Sequence, residues 1–314
     1  MTAATRDAAL HLGVLTLLAG LWFVLPTYHS GNLARIMVLA VYAMGYNLLF
    51  GYTGLLSLGH ALFFAAGMYG LAIAMQQGGW SAAPGFLAGL IAALVVSGVA
   101  GALALRTTGV AFMIVTLMFA QAGYLTVLYF GAITRGDEGF VIPQAARSLA
   151  GIDLTTPANR YFAALILFGA VFLGLAWLVR SPFGRTLIAI RENEARAKML
   201  GYDTHAYKLR AVILSGTISG ASGAAYALLF GYAGATFATV QYSIFPLLWV
   251  LLGGAGTTIG PLIGAIFMFY LIDLASGVTD AYMLIAGVVL VLLTLFAPQG
   301  LAGTLRNRVW PWLP

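Results

Sequence analysis

Ten apolar runs alternate along the chain with polar or glycine-rich connections, near residues 10–26, 33–50, 60–76, 85–105, 110–131, 160–180, 210–232, 243–253, 259–273 and 281–297. The first seven approach the roughly 20 residues that a helix needs to cross a bilayer. The last three are shorter, and the eighth and ninth are separated by GGAGTTIGP, where the glycines and Pro261 should break a continuous helix. Runs this continuous are helical spans; a transmembrane barrel would instead show ten-residue alternating segments. The pattern predicts an all-α polytopic membrane protein of about ten transmembrane helices, with residues 1–314 forming one transmembrane domain.

Composition agrees: 61% of residues are hydrophobic and 8% charged, against about 25% charged in soluble domains. Arg6 and Asp7 precede an apolar stretch that resembles a signal sequence, but no small-residue cleavage pattern follows, so it reads as a retained first span. The chain has no cysteine, which excludes disulfides, thiol chemistry and cysteine-ligated metal. The net charge of +6 does not call for nucleic acid once its placement is considered. Alternating ten spans puts eleven of the fifteen Lys and Arg residues on one side: Arg6, Arg106, the seven from Arg180 to Arg210, Arg306 and Arg308. Arg35, Arg135, Arg147 and Arg160 fall on the other. Basic residues are retained in the cytoplasm, so the eleven-residue side and both termini are expected inside. The longest external segment is then 132–160.

The segment SPFGRTLIAIRENEARAKMLG, residues 181–201, reads as one helix outside the bilayer. Ser181 suits the N-cap, Pro182 the first helical position, and Gly201 a left-handed C-terminus. Glu192 with Arg196 and Glu194 with Lys198 are i,i+4 pairs in the favoured order, each contributing about 0.2–0.5 kcal/mol. Its sparse apolar positions, Leu187, Ile188, Ala195, Met199 and Leu200, suit docking on a partner. A charged loop that fixes orientation, or a helix lying on anionic headgroups, is the alternative.

The stretch GYTGLLSLGHALFFAAGMYG, residues 51–70, carries five glycines, Ser57 and His60 between two long apolar runs. Irregular backbone at membrane depth is tolerated only under cover of protein or a water-filled cavity, so residues 51–59 should face the interior. LLGGAGTTIGP repeats the arrangement: helix in, glycine break, helix out. His60 either lines a pathway or, as a neutral imidazole hydrogen-bonded at the break, holds the turn; the absence of a second titratable neighbour in sequence argues against a proton relay or a metal site. Ser57 reads as a cap for the third span. Asp273 and Asp280 read as a solvated external turn, and Gly216, Gly220 and Gly223 as a close helix-packing face.

Four separated segments carry a family resemblance: GYTGLLSLGHALFF (51–64), SPFGRTLIAIRENEARAKMLGYDTHAYKL (181–209), VLLGGAGTTIGPLIGA (250–265) and FAPQGL (296–301). Together they resemble the M-type permease subunit of branched-chain amino-acid ABC importers, over nearly the whole chain. The resemblance implies a type II importer-like helical arrangement, as in the vitamin-B12 importer. It implies a second permease subunit (a related chain or a second copy), two cytoplasmic ATPase subunits and a periplasmic or lipid-anchored substrate-binding protein, in the bacterial inner membrane. ATP and magnesium belong to the ATPase partner: the G-x-x-x-x-G-K-[ST] phosphate cradle is absent from this chain, and no cofactor of its own is implied. The 181–201 segment becomes the coupling helix, with Arg185, Arg191, Glu192, Glu194, Arg196, Lys198 and Gly201 facing the ATPase. The glycine breaks supply pathway candidates: Gly54, Leu55, Ser57, His60, Gly253, Gly254 and Gly256. Leu55 stands where the family has glutamine, and TRGDEGF (134–140) replaces a more neutral stretch. Related systems carry urea, short amides or aromatic acids, so these solutes stand beside branched-chain amino acids. Two other classes compete: an intramembrane enzyme, which lacks converging acid, base or nucleophile here, and an ATP-independent channel or scaffold.

Overall fold

The computed structural model describes residues 3–149, 151–297 and 299–308. Its helices are α1 (Ala3–Val24), α2 (Thr27–Asn47), α3 (His60–Gln76), α4 (Ala82–Ala104), α5 (Val110–Tyr129), α6 (Gly131–Thr134), α7 (Pro157–Arg180), α8 (Pro182–Glu192), α9 (Glu194–Met199), α10 (Thr204–Phe230), α11 (Val240–Gly253), α12 (Gly260–Ser276), α13 (Tyr282–Phe296) and α14 (Gly300–Arg308). Five helical segments are long and apolar enough to cross a membrane: Thr27–Tyr52, Ala82–Ala104, Val110–Tyr129, Pro157–Arg180 and Thr204–Phe230. Five shorter apolar helices accompany them: Ala8–Val24, His60–Gln76, Val240–Gly253, Gly260–Ser276 and Met283–Leu292. Each of the ten apolar runs overlaps one of these elements.

The second span runs through the middle of the bundle. Every residue from Asn32 to Leu49 is buried except Arg35, as expected of a helix apolar all round. It packs against α7, α10, α11 and α12. The helix begins at Thr27, not near 33, because its first two turns are polar and escape a hydropathy window. Arg35 therefore lies two turns inside the helix and not at its first turn.

Small residues bring α3, α4 and α10 together. A side chain on Gly220 would meet the Ala93 methyl and the Phe63 carbonyl, and one on Gly223 the Phe64 backbone. Gly216 lies against Ser97. Apolar helices in lipid have no hydrophobic reason to associate, so close backbone approach supplies the attraction. Leu87, Ile91 and Leu94 on α4, by contrast, point outward.

Two expectations are corrected. Residues 181–201 form two helices, because Asn193 adopts an extended conformation and caps α9 through its side chain. Its Oδ1 accepts from the Arg196 amide at 2.9 Å, satisfying an amide that a continuous helix would have bonded to its own backbone. Glu192 and Arg196 thus lie on opposite sides of a break and form no ion pair among the described residues. Asp273 is not in a loop: it belongs to α12, and Tyr28 donates to its carboxylate at 2.9 Å. The segment 132–160 carries its own structure: β1 (Phe140–Val141) pairs antiparallel with β4 (Tyr232–Ala233), and β2 (Ser148–Leu149) with β3 (Ile152–Asp153). The expected locations of the chain's extreme ends concern residues 1–2 and 309–314, which lie outside the described residues.

Candidate functional site

The first glycine break starts where α2 widens into a π-turn, Leu48–Tyr52. Gly54 turns with φ +76°, a conformation that favours glycine, and Thr53 bonds back to the Leu48 carbonyl at 3.0 Å. α3 then begins at His60, which is fully buried. Its Nε2 lies 2.8 Å from Ser215 Oγ, whose own hydroxyl donates to the Gly45 carbonyl at 2.6 Å. Ser215 must therefore accept from the ring, which assigns the proton to Nε2 and leaves Nδ1 to accept from Ser57 Oγ at 3.3 Å. Ser57 in turn accepts the Gly59 amide at 3.1 Å. This chain of bonds satisfies a neutral imidazole and joins α2, α3 and α10. The first turn of α3 is also capped from other helices: Ser243 accepts from the Ala61 amide at 2.9 Å, and Thr116 from the Leu58 amide at 3.1 Å.

The second break, between α11 and α12, lies against the first. Asn47, the last residue of α2, accepts the Gly256 amide at 2.9 Å and donates to the Thr257 carbonyl at 2.8 Å. One buried amide thus occupies a donor and an acceptor left open by the unwound backbone. Thr257 Oγ1 donates to the Gly254 carbonyl at 2.7 Å and accepts the Gly260 amide at 3.1 Å, closing the turn from within. Gly254 and Gly256 have φ +118° and +76°, and Gly253 packs directly on Gly260. Space at the junction is tight, since a Cβ at Gly256 would lie 3.0 Å from Arg191 Nη1 and 3.1 Å from the Gly51 carbonyl oxygen.

Arg191 brings in the extramembrane segment. Near the end of α8, it donates through Nη1 to the Gly51 carbonyl. Ser181 caps α8 by accepting the Gly184 amide at 3.3 Å, and Gly201 ends the segment with φ +88°. α8 buries Thr186, Leu187 and Ile190, while Arg185, Glu192, Arg196 and Lys198 stay exposed, as do Met199 at 80% and Leu200 at 72%. The segment is thus anchored on one side and presents charge and apolar tips on the other.

Glu194 fastens α9 to α10. It accepts from Thr204 Oγ1 at 3.1 Å and pairs with Lys208 at 2.5 Å and Lys198 at 3.2 Å. Partial burial works to raise its pKa. The hydrogen bonds from Lys208 and Lys198, the Lys208 charge and the Thr204 hydroxyl outweigh that and lower it to about 2 from 4.5. A lowered carboxylate pKa stabilises the fold above the unfolded value and loses that contribution as pH falls toward the folded one. Glu194→Gln is expected to destabilise the purified protein by about 1 kcal/mol at pH 6, a modest figure because solvent screens a partly exposed pair. The difference from the native protein in thermal unfolding should shrink below pH 4.5 and vanish near pH 2.

The structure brings two groups of sequence candidates together. Gly54 and Leu55 line a cavity of about 540 Å³ along with Arg191, Glu194 and Lys198. Of the second-break glycines, Gly256 meets the same junction through Asn47, while Ser57 and His60 lie in the buried network. Sequence reasoning missed Asn47, Ser215 and Thr257. Asn47 carried a signal, a lone amide within an apolar run.

Fold and site define a class: an integral membrane protein of broken helices in which a polar helical segment, α8 and α9, is tied to the breaks. A family model described as the permease component of the branched-chain amino acid transport system matches residues 29–297, and the chain belongs to that family. Over 334 aligned residues it is 29% identical to the high-affinity branched-chain amino acid transport system permease protein LivM of Escherichia coli, covering 98% of this chain and 77% of the relative. A probable branched-chain amino acid transport permease protein LivM of Methanocaldococcus jannaschii is 30% identical over 60% of this chain and 58% of its own. A shorter match, 30% identical over 31% of each chain, is to the autoinducer 2 import system permease protein LsrC of Photorhabdus laumondii. No solved structure matches. Members of the family are membrane subunits of transporters, and this chain is a multi-pass membrane protein.

Proposed function

We propose that the chain is a permease subunit of an ATP-driven importer for branched-chain amino acids, spanning the inner membrane ten times with both termini in the cytoplasm. It forms part of the translocation path with a second permease subunit in a type II importer-like arrangement. Two cytoplasmic ATPase subunits bind ATP and magnesium, and an external binding protein delivers the solute. The carrying observation is the junction at Gly51: one arginine of the extramembrane segment holds the first glycine break, and one asparagine holds the second break to the first.

The coupling role follows from that geometry. Alternating access requires contacts that differ between two states. The exposed row of Arg185, Glu192, Arg196, Met199 and Leu200 is the surface that meets an ATPase, and displacement of α8 pulls on Gly51 through Arg191. Because Asn47 spans both breaks, they move together. The family resemblance and the relatives' names support leucine-like solutes, while Leu55 keeps urea and aromatic acids as the comparison.

The test is uptake of labelled leucine by proteoliposomes holding the assembled importer, with and without ATP, with urea and benzoate as competitors. ATP-dependent uptake that neither competitor blocks is expected. Uptake indifferent to ATP would reject the importer reading, and uptake displaced by urea or benzoate would reject the solute.

A further inference from the structure

A second, smaller cavity of about 240 Å³ lies between α2, α11 and α12, lined by Leu39, Tyr242, Phe245, Trp249, Phe269 and Ile272, with Asp273 and Ser276 completing it. It is smaller than the roughly 300 Å³ at which pockets for drug-sized molecules begin, and suits a solute of amino-acid size. Its wall is aromatic and aliphatic except at one end. There Asp273 receives the Tyr28 hydroxyl on both oxygens, at 2.9 and 3.0 Å, which leaves most of its acceptor capacity unused.

Arg35 occupies the same face of α2. Tyr28, Arg35 and Leu39 are spaced by seven and four residues, which stacks them along one side of a helix; Leu39 lines the cavity and Tyr28 holds Asp273. Arg35 is the single exposed residue between Asn32 and Leu49. It sits eight residues into the helix, about 12 Å from its start. Its guanidinium lies 5.2 Å from the Phe230 ring centroid. Among the described residues no carboxylate lies within ion-pair distance of it. Arg160 shares the Phe230 ring at 5.8 Å, so the local charge is positive and calls for an anion. A cation at membrane depth without a counter-ion is costly, and such groups mark solute pathways.

Resting on the importer reading, we propose that this cavity, together with Arg35 one helical turn before Leu39 in its wall, is the permease's own substrate subsite for a zwitterionic amino acid. Arg35 takes the carboxylate, Asp273 the ammonium group, and Leu39, Phe245, Trp249 and Ile272 the branched side chain. One anionic and one cationic recognition group across an apolar floor select an α-amino acid over an amine, an acid or a neutral amide of the same shape. Urea and benzoate each lack at least two of the three features.

The chain has no cysteine, so a Ser276→Cys substitution places a single reactive thiol at the cavity rim. In the assembled importer without binding protein, millimolar leucine is expected to slow maleimide labelling of that thiol at least fivefold. 4-Methylpentanoate, lacking the ammonium group, and 3-methylbutylamine, lacking the carboxylate, should protect far less. Adding Arg35→Gln should abolish protection by leucine and leave that by 3-methylbutylamine; Asp273→Asn should do the converse with 4-methylpentanoate. Leu39→Phe fills the cavity without touching either charge and should also weaken leucine protection several-fold. If the same importer, once supplied with its binding protein, imports leucine with ATP yet leucine does not protect the thiol, or protection survives all three substitutions, the subsite is wrong. If the importer supplied with its binding protein takes up no leucine with ATP, the solute reading fails and this proposal falls with it.

Discussion

Replacing Asn47 by leucine is expected to separate ATP hydrolysis from solute uptake in the assembled importer. The two side chains are close in size, so the helix and its packing are kept. What disappears is the pair of bonds to the Gly256 amide and the Thr257 carbonyl, leaving two buried backbone groups without partners at about 1–3 kcal/mol each. The second break then relaxes away from the first, and Arg191 pulls on Gly51 alone. Leucine uptake should fall at least tenfold while ATP hydrolysis by the complex stays within twofold of native. Loss of hydrolysis in step with uptake would show that Asn47 serves only to fold the protein.

The other large effect concerns assembly. Gly220→Leu drives a side chain into the Ala93 methyl and toward the Phe63 carbonyl, which lies 3.1 Å from the position of a Cβ. Both neighbours are small or backbone, so the strain can be relieved only by separating α10 from α3 and α4. Overpacking of tight cores costs about 1–3 kcal/mol, and here the displaced contacts are among the closest in the bundle. Full-length protein recovered from membranes should drop at least fivefold. Gly174→Leu on α7 is the control, since nothing lies within 4 Å of a Cβ there, and it should be recovered at native levels.

The helices were legible because lipid is a demanding solvent: every run with an apolar surface had to become a helix with its backbone bonded internally. The breaks were legible for the same reason reversed: the helices stop at the clustered glycines, of which Gly54, Gly254 and Gly256 adopt positive φ. What joins the breaks was not legible. Asn47 and Gly256 are 209 residues apart, and nothing local in either segment names the other as its partner. Asn193 shows a different limit. Its capping chemistry was visible in the sequence, but the i,i+4 charge spacing favoured a continuous helix, and the cap won. Asp273 reads in sequence as an external turn because a hydropathy window ends where polarity begins, and Arg35 falls at the very start of its span; the backbone continues as helix through both.

The most direct test of the coupling account is the number of leucine molecules imported per ATP hydrolysed, measured on the same proteoliposomes for the native importer and for Asn47→Leu. A ratio that collapses at least fivefold in the variant, with hydrolysis maintained, is the predicted result. An unchanged ratio would mean that the junction of the two glycine breaks with the extramembrane helix transmits nothing.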